Sequence, residues 1–194
     1  MNFKTKIILA SKSPRRAKIL RMVGMNFKIV PSKVKEKIKQ NIEQTKIAES
    51  ISKEKAKAIS LQYPNHIIIG ADTIVLSDGE IFGKPKDIYE SKQMLRRLSG
   101  NSHKVITGVT LINKSNGEIN TFSESTEVFV GKIPTKQIEY YANNFNTLDK
   151  AGSYGIQGWF SVWIEKINGC YYNVMGLPVS KFYRHFIKFE KLMK

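Results

Sequence analysis

The chain has 194 residues, 41% of them hydrophobic, which is enough for one continuous core but short for two independent domains. It carries 32 Lys and Arg against 16 Asp and Glu, so its formal charge of +16 favours phosphates, nucleic acid or other anions as partners. A single cysteine, Cys170, excludes an intrachain disulfide framework and any multi-cysteine metal site, as expected for a reducing compartment.

The first predicted elements place polar groups where a strand passes into a helix. Ser13 is a typical N-cap residue and Pro14 suits the first helical position, so a helix should begin there and end near Gly24. The predicted elements are a buried strand at 6–10, this helix at 14–22, a strand at 27–30 and a Lys-rich surface loop at 31–41. The apolar stretch at 7–10 is too short for a signal peptide or a membrane span, so we expect a cytoplasmic protein without a membrane partner.

Two charged residues fall inside the apolar patterns of the next segment. Apolar residues at helical spacing predict a helix over 44–61, and Lys55 lies on the same inward stripe. A β-rich run predicts a strand over 67–76 that forms a hairpin with 80–82, and Asp72 lies inside it. Because aspartate is disfavoured in strands and costly to bury alone, a compensating group is expected beside Asp72.

Helices and strands alternate through the rest of the chain. The predicted elements are a helix at 87–98, strands at 105–112 and 121–130 joined by a turn at Asn116-Gly117, a helix at 134–143, a strand at 160–167 and a closing helix at 177–192. Repeats, Gly/Ser linkers and low-complexity tails are absent from the sequence. The pattern therefore predicts one α/β domain over residues 1–194.

The strand-to-helix junction at 11–16 has the parts of an anion site. The N–H groups and dipole of a helix N-terminus favour phosphate. Ser11, Ser13, Arg15 and Arg16 add hydroxyl and guanidinium donors. An ordinary Ser-Pro helix cap with solvated arginines is the alternative.

Three further segments are candidates for chemistry. Small residues around Asp72 in Gly70-Ala71-Asp72-Thr73 would let a ligand or metal approach closely, although an aspartate can also accept backbone hydrogen bonds there. Lys84 is held in a Gly-Lys-Pro turn and, with Lys55, offers a second cation. In the glycine-rich loop at 149–158, Gln157 offers an amide that suits a pyrimidine edge, with a tight structural turn as the alternative.

The chain resembles the Maf family of nucleotide pyrophosphatases in six ordered blocks that span nearly its whole length. The blocks are SKSPRR (11–16), GADTIV (70–75), FGKP (82–85), LSGNSHKVITGV (98–109), DKAGSYGIQG (149–158) and INGCYYNVMGLP (167–178). The resemblance implies a twisted mixed sheet flanked by helices, with two lobes around a cleft, similar to inosine triphosphate pyrophosphatases. It also implies a homodimer.

The resemblance also implies roles for individual residues. It makes Asp72 the catalytic base, and it makes Glu36 and Asp72 the ligands of a divalent cation, Mg²⁺ or Mn²⁺, that activates water for attack at the α-phosphorus. The positions that it places around the phosphates are Ser11, Ser13, Arg16, Lys55 and Lys84. Lys35 stands where a second carboxylate is common in the family, which bears on how tightly the metal is held.

Three further positions bear on the substrate. The subgroup that resembles dTTP/UTP pyrophosphatases carries Arg, Thr and Gln at its selectivity positions, matched here by Arg15, Thr73 and Gln157. The subgroup that acts on 7-methyl-GTP differs there and has an aromatic residue in place of Arg15. The resemblance therefore implies hydrolysis of dTTP and UTP, and of modified pyrimidine triphosphates as further candidates, to the monophosphate and pyrophosphate.

Two alternatives come from other classes of protein. The charge of +16 and four tyrosines, Tyr140, Tyr141, Tyr171 and Tyr172, would suit a nucleic-acid-binding protein, but we expect these rings in the core or at an interface. A nucleic-acid partner is accordingly not expected. A regulatory role in cell division, without hydrolysis, is the other alternative, and the family's link with septum formation motivates it.

Overall fold

The computed structural model describes residue 3, residues 5–34 and residues 43–193, and these residues form an α/β fold. Its strands are β1 (Ile7–Leu9), β2 (Lys28–Ile29), β3 (Ile67–Ser77), β4 (Glu80–Phe82), β5 (Ser102–Asn113), β6 (Glu118–Val130) and β7 (Ile164–Asn168). Its α-helices are α1 (Pro14–Met22), α2 (Gln44–Ser60), α3 (Ile88–Leu98), α4 (Thr135–Asn144), α5 (Tyr171–Met175) and α6 (Val179–Lys191). Over the described residues, we find no helix that is both long and apolar enough to cross a membrane.

One seven-stranded mixed sheet runs through the chain. Its order is β2-β1-β3-β5-β6-β7, and β4 pairs with β3. β1 pairs in parallel with β2 and with β3, whereas the β3–β4 and β6–β7 pairs are antiparallel. The predicted fold class, a mixed sheet flanked by helices, is confirmed.

The contacts divide the chain into two compact units. The first comprises residues 1–72, 107–124 and 176–194, and the second comprises residues 73–106 and 125–175. In the first unit, the core combines β1 and the start of β3 with Phe182, Phe186 and Phe189 of α6, all almost fully buried. In the second, Phe160 packs against the rings of Tyr141 and Tyr154, with centroids 5.2 and 4.7 Å away.

Two glycines set the distance between α2 and the sheet in the first unit. A Cβ built on Gly70 would lie 2.2 Å from the carbonyl oxygen of Ser52, and one on Gly108 would lie 2.3 Å from the carbonyl carbon of Ala48. Only glycine allows so close an approach of the helix backbone. At Gly70, therefore, the small residue makes room for α2.

Gly70→Ala and Gly108→Ala should each lower the free energy of unfolding by about 3 kcal/mol or more, because the added methyl group meets helix backbone that cannot rotate away. Urea denaturation measures the effect. Gly83→Ala is the matched control, since a Cβ there meets no atom within 4 Å. Equal stability of all three variants would show that α2 can move away from the sheet.

Most predicted elements are confirmed. The structure has α1 at the predicted bounds, and Lys55 on α2 is buried. Asp72 lies inside β3, and the hairpin turn between β3 and β4 contains Asp78 and Gly79, both with positive φ. The predicted loop at 31–41 has no regular structure at 31–34, and its remainder lies outside the described residues.

The predicted strand at 160–167 is partly wrong. Residues Trp159–Trp163 form a 3-10 helix, and strand β7 begins only at Ile164. Phe160 is buried whereas Ser161 and Val162 are both exposed, so the alternation of a strand is broken. The closing helix begins at Val179, and the short helix α5 before it was not predicted.

Candidate active site

The junction between β1 and α1 forms a fixed polar corner in the first unit. Ser13 caps the helix, and its side chain accepts a hydrogen bond from the N–H of Arg16 at 3.5 Å. The hydroxyl oxygen of Ser11 accepts from the N–H of Ser13 at 3.3 Å and from Nη1 of Arg16 at 3.0 Å. With two donors already on its oxygen, the Ser11 hydroxyl is left to donate its own hydrogen, which suits an anion.

Arg16 is a fixed cation at this corner. Its side chain is buried, and Nε donates to the carbonyl oxygen of Gly176 at 2.8 Å while Nη1 holds Ser11. Because both contacts are made by one planar guanidinium, the charge is locked in place next to the positive end of the α1 dipole. The predicted phosphate-binding residues Ser11, Ser13 and Arg16 are thus brought together.

The second polar feature of this unit is a buried ion pair. Nζ of Lys55 lies 2.6 Å from Oδ1 of Asp72, and both side chains are about nine-tenths buried, with exposed fractions of 11% and 8%. Burying two charges costs free energy that their attraction only partly returns, so such pairs are weak evidence for stability alone. The sequence predicted a compensating group for Asp72, and the structure identifies Lys55.

The strand register relates the ion pair to the polar corner. β1 and β3 are parallel, with Leu9 opposite Ile69, and the N–H of Ala10 donates to the carbonyl oxygen of Ile69 at 2.8 Å. Ser11 therefore follows the carboxyl end of β1, whereas Asp72 lies inside β3, three residues beyond Ile69, the last β3 residue paired with β1. In open α/β sheets, ligands bind beyond the carboxyl ends of parallel strands, which is where Ser11 lies.

The remaining predicted residues fall into two groups. Arg15 lies on α1 in the first unit and is half-buried. In the second unit, Thr73 is half-buried in β3, and Lys84 and Gln157 are exposed. The turn that carries Lys84 is tied to the glycine-rich loop, because the N–H of Gly152 donates to the carbonyl oxygen of Gly83 at 3.1 Å.

A buried histidine, His103, supports the same glycine-rich loop and was not among the predicted site residues. Nε2 of His103 lies 2.7 Å from the hydroxyl of Tyr154, and both side chains are buried. Burial lowers the pKa of His103 to about 4, and burial together with Tyr141 raises the pKa of Tyr154 far above its usual range. A sequence signal for this burial exists, because His103 and Val105 alternate with the polar residues Ser102 and Lys104, the period-two pattern of a strand with one buried face.

His103 should make the protein less stable as the pH falls. The imidazole has a pKa of about 4 when folded and about 6.5 when unfolded, so between these values the unfolded chain binds more protons. The contribution of the neutral, buried imidazole to the free energy of unfolding is complete above pH 6.5 and falls by about 3 kcal/mol by pH 4. Urea denaturation from pH 4 to 8 should therefore show a shallower pH dependence for His103→Gln than for the unsubstituted protein. If the free energy of unfolding changed with pH in the same way in both proteins, His103 would not be the group responsible.

A divalent cation would find few protein ligands in the described part of the site. Over residues 3, 5–34 and 43–193, no three His, Cys, Asp or Glu side chains form a metal-binding group. Asp72 is the predicted metal ligand that lies within the described residues, and Glu36, the other predicted ligand, lies outside them, as does Lys35. One or two carboxylates with substrate phosphates are a common way to hold Mg²⁺, so the donor chemistry fits a metal that arrives with a nucleotide.

Comparison with known proteins identifies the family of the chain. Residues 6–189 match the family described as Maf-like protein. A dTTP/UTP pyrophosphatase of Bacillus mycoides (strain KBAB4) is 43% identical over 185 residues, which cover 95% of this chain and 96% of the relative. The dTTP/UTP pyrophosphatase of Carboxydothermus hydrogenoformans is 41% identical over 179 residues, 92% of this chain and 96% of the relative. That of Koribacter versatilis is 42% identical over 178 residues, 92% of this chain and 91% of the relative.

Proposed function

Because the chain belongs to the Maf-like protein family, we propose that it hydrolyses dTTP and UTP to the nucleoside monophosphate and pyrophosphate. The observation that carries this proposal is the buried Lys55–Asp72 pair in the same unit as the anion-binding start of α1, with Asp72 on β3, the parallel neighbour of β1. A carboxylate that can take a proton and cations that can bind phosphates are the two requirements for this hydrolysis.

The triphosphate binds with its phosphates at the start of α1. The Ser11 hydroxyl, the cap residue Ser13 and the guanidinium of Arg16 bind phosphate oxygens there, supported by the helix dipole. Lys55 and Lys84 supply further positive charge. The geometry of Arg16 supports this role, since its two hydrogen bonds fix the guanidinium before any ligand arrives.

In the chemical step, water attacks the α-phosphorus while Asp72 accepts one of its protons. A bond forms between the water oxygen and the α-phosphorus, and the bond from that phosphorus to the oxygen bridging to the β-phosphorus breaks. Pyrophosphate leaves with that oxygen. The ammonium of Lys55, which lies 2.6 Å from Asp72, keeps the carboxylate in place and offsets the negative charge gathered on the phosphates.

A divalent cation, Mg²⁺ or Mn²⁺, completes the proposed site. Asp72 and Glu36 would hold it together with phosphate oxygens, and when bound it supplies Lewis-acid polarisation and charge neutralisation. Arg15, Thr73 and Gln157 select the pyrimidine, with the amide of Gln157 able to donate to and accept from the edge of the base. We also propose a single domain over residues 1–194, of which residues 6–189 match the family, and a homodimer.

Pyrophosphate release tests the proposal with dTTP, UTP, CTP, GTP and 7-methyl-GTP, each with Mg²⁺ or Mn²⁺. We expect release from dTTP and UTP well above the other substrates. In water enriched in ¹⁸O, attack at the α-phosphorus places the label in the monophosphate and none in pyrophosphate. Release from 7-methyl-GTP alone would contradict the substrate, label in pyrophosphate would contradict the site of attack, and no release would contradict the activity.

A further inference from the structure

The first unit has an open pocket of about 590 Å³ that the proposed reaction does not use. Its lining includes Phe3, Lys6, Phe27, Lys28, Tyr63 and His66. Its volume lies within the range of about 300–1,000 Å³ typical of sites for small ligands. The pocket is thus large enough for a compound of the size of a mononucleotide.

The pocket lies at the opposite end of the strands from the polar corner. Lys6 immediately precedes β1 and His66 immediately precedes β3, and the N–H of Ile67 donates to the carbonyl oxygen of Lys6 at 2.9 Å. Ser11 is five residues further along, which is about 16 Å in an extended strand. A ligand in the pocket would therefore occupy a site separate from the proposed phosphate site.

The pocket is cationic. Lys6 and Lys28 both line it, and its lining contains no aspartate or glutamate. Neither lysine lies within 4 Å of a carboxylate oxygen of any described residue. Nζ of Lys28 lies 5.4 Å from the centre of the Tyr63 ring, so its charge is held at the aromatic wall by a cation–π contact.

The rest of the lining suits a flat ring. Phe3, Phe27 and Tyr63 provide aromatic surface, and Asn26 adds an amide that can both donate and accept hydrogen bonds. Tyr63 is itself steadied by an edge contact with His66, at a centroid distance of 5.4 Å. Aromatic side chains beside cations are the combination that binds nucleotide units, the bases by stacking and the phosphates by charge.

We propose that this pocket is a second ligand site, which binds a nucleoside monophosphate or a similar planar aromatic phosphate ester, its phosphate between Lys6 and Lys28 and its ring against the aromatic wall. The inference stands on the pocket and its charges and does not depend on the proposed hydrolysis.

His66 provides a local reporter for this ligand. Burial and the neighbouring charges of Lys6 and Lys28 lower the pKa of His66. A dianionic phosphate between the two lysines offsets those charges, so the bound ligand should raise the pKa of His66. The chain has three histidines, and the signal of His66 can be assigned with the variant His66→Asn.

The test is an NMR titration of the histidine ring signals with UMP, inorganic phosphate and uridine as separate probes. We expect UMP to shift the His66 signal, to raise its pKa, and to bind at least about tenfold more tightly than phosphate or uridine. Lys6→Met and Lys28→Met should each weaken UMP binding about tenfold, the loss expected for one charged contact. Lys104→Met, an exposed lysine of the other unit, is the matched control.

Three results would overturn the inference. The first is that saturating UMP moves signals elsewhere in the protein while the His66 signal stays in place. Phosphate alone could bind as tightly as UMP, which would make this a simple anion site. Finally, Lys6→Met and Lys28→Met could bind UMP as tightly as Lys104→Met does.

Discussion

Replacing Asp72 with Asn is expected to lower the rate of pyrophosphate release from dTTP and UTP by about a thousandfold or more, within the range typical of general-base catalysis. Asparagine has nearly the same shape, so the side chain still fits its buried position beside Lys55. The amide cannot accept a proton from water and carries no charge to attract a metal. The loss should therefore appear in kcat far more than in KM.

Asp78→Asn is the matched control for that experiment. Asp78 is exposed in the turn between β3 and β4 and has a φ of 48°, a conformation that asparagine tolerates well. This variant should keep full activity. A circular-dichroism melt separates loss of chemistry from loss of fold, because Asp72→Asn leaves the ammonium of Lys55 beside a neutral partner. Activity of folded Asp72→Asn within tenfold of the unsubstituted enzyme would remove Asp72 from the mechanism.

The parts of the site that sequence could predict are those set by local rules. The start of α1 follows from a serine cap and a proline at the first helical position, and both are confirmed. The unusual position of Asp72 inside β3 followed from a run of residues that favour strands, and the inward direction of Lys55 from period-3.6 patterning. Each pattern is contained within one helix or strand, so it can be recognised in the sequence without knowledge of how the elements pack.

The pairing of those elements could not be predicted in the same way. Lys55 and Asp72 are 17 residues apart on a helix and a strand, and their contact depends on how closely α2 approaches the sheet. Gly70 and Gly108 set that distance, and they lie on different strands. The hydrogen bond from Arg16 to Gly176 spans 160 residues, so only the completed fold brings it about.

The error at 160–167 has a different physical cause. Residues 159–163 read Trp-Phe-Ser-Val-Trp, a composition favoured in strands. In the structure, Phe160 is drawn into the aromatic cluster with Tyr141 and Tyr154, and a tight 3-10 turn presents it there. Packing of one large ring thus outweighs the local strand preference, as tertiary contacts often do.

Arg16→Lys should lower kcat/KM for dTTP and UTP about a hundredfold, the usual cost of one oriented donor to a developing charge. The substitution keeps the positive charge, so simple attraction of the triphosphate is retained. A lysine, however, cannot hold Ser11 and the carbonyl oxygen of Gly176 with one planar group. The flexible ammonium then has to be ordered on each binding event, and the Ser11 hydroxyl loses the donor that fixes it. Steady-state kinetics measures both kcat and KM.

Arg21→Lys is the control, because Arg21 lies on the same helix and is exposed, and the contact described for its side chain is with the ring of Phe27, at 5.6 Å. Its kcat/KM should stay within about twofold of the unsubstituted value, as expected for an exposed charge. If Arg16→Lys behaves in the same way, charge alone accounts for the role of Arg16. Both variants keep the positive charge, but only Arg16→Lys disrupts the hydrogen bonds of the guanidinium to Ser11 and Gly176. Loss of activity in Arg16→Lys alone would therefore show that the site requires the fixed orientation of the guanidinium.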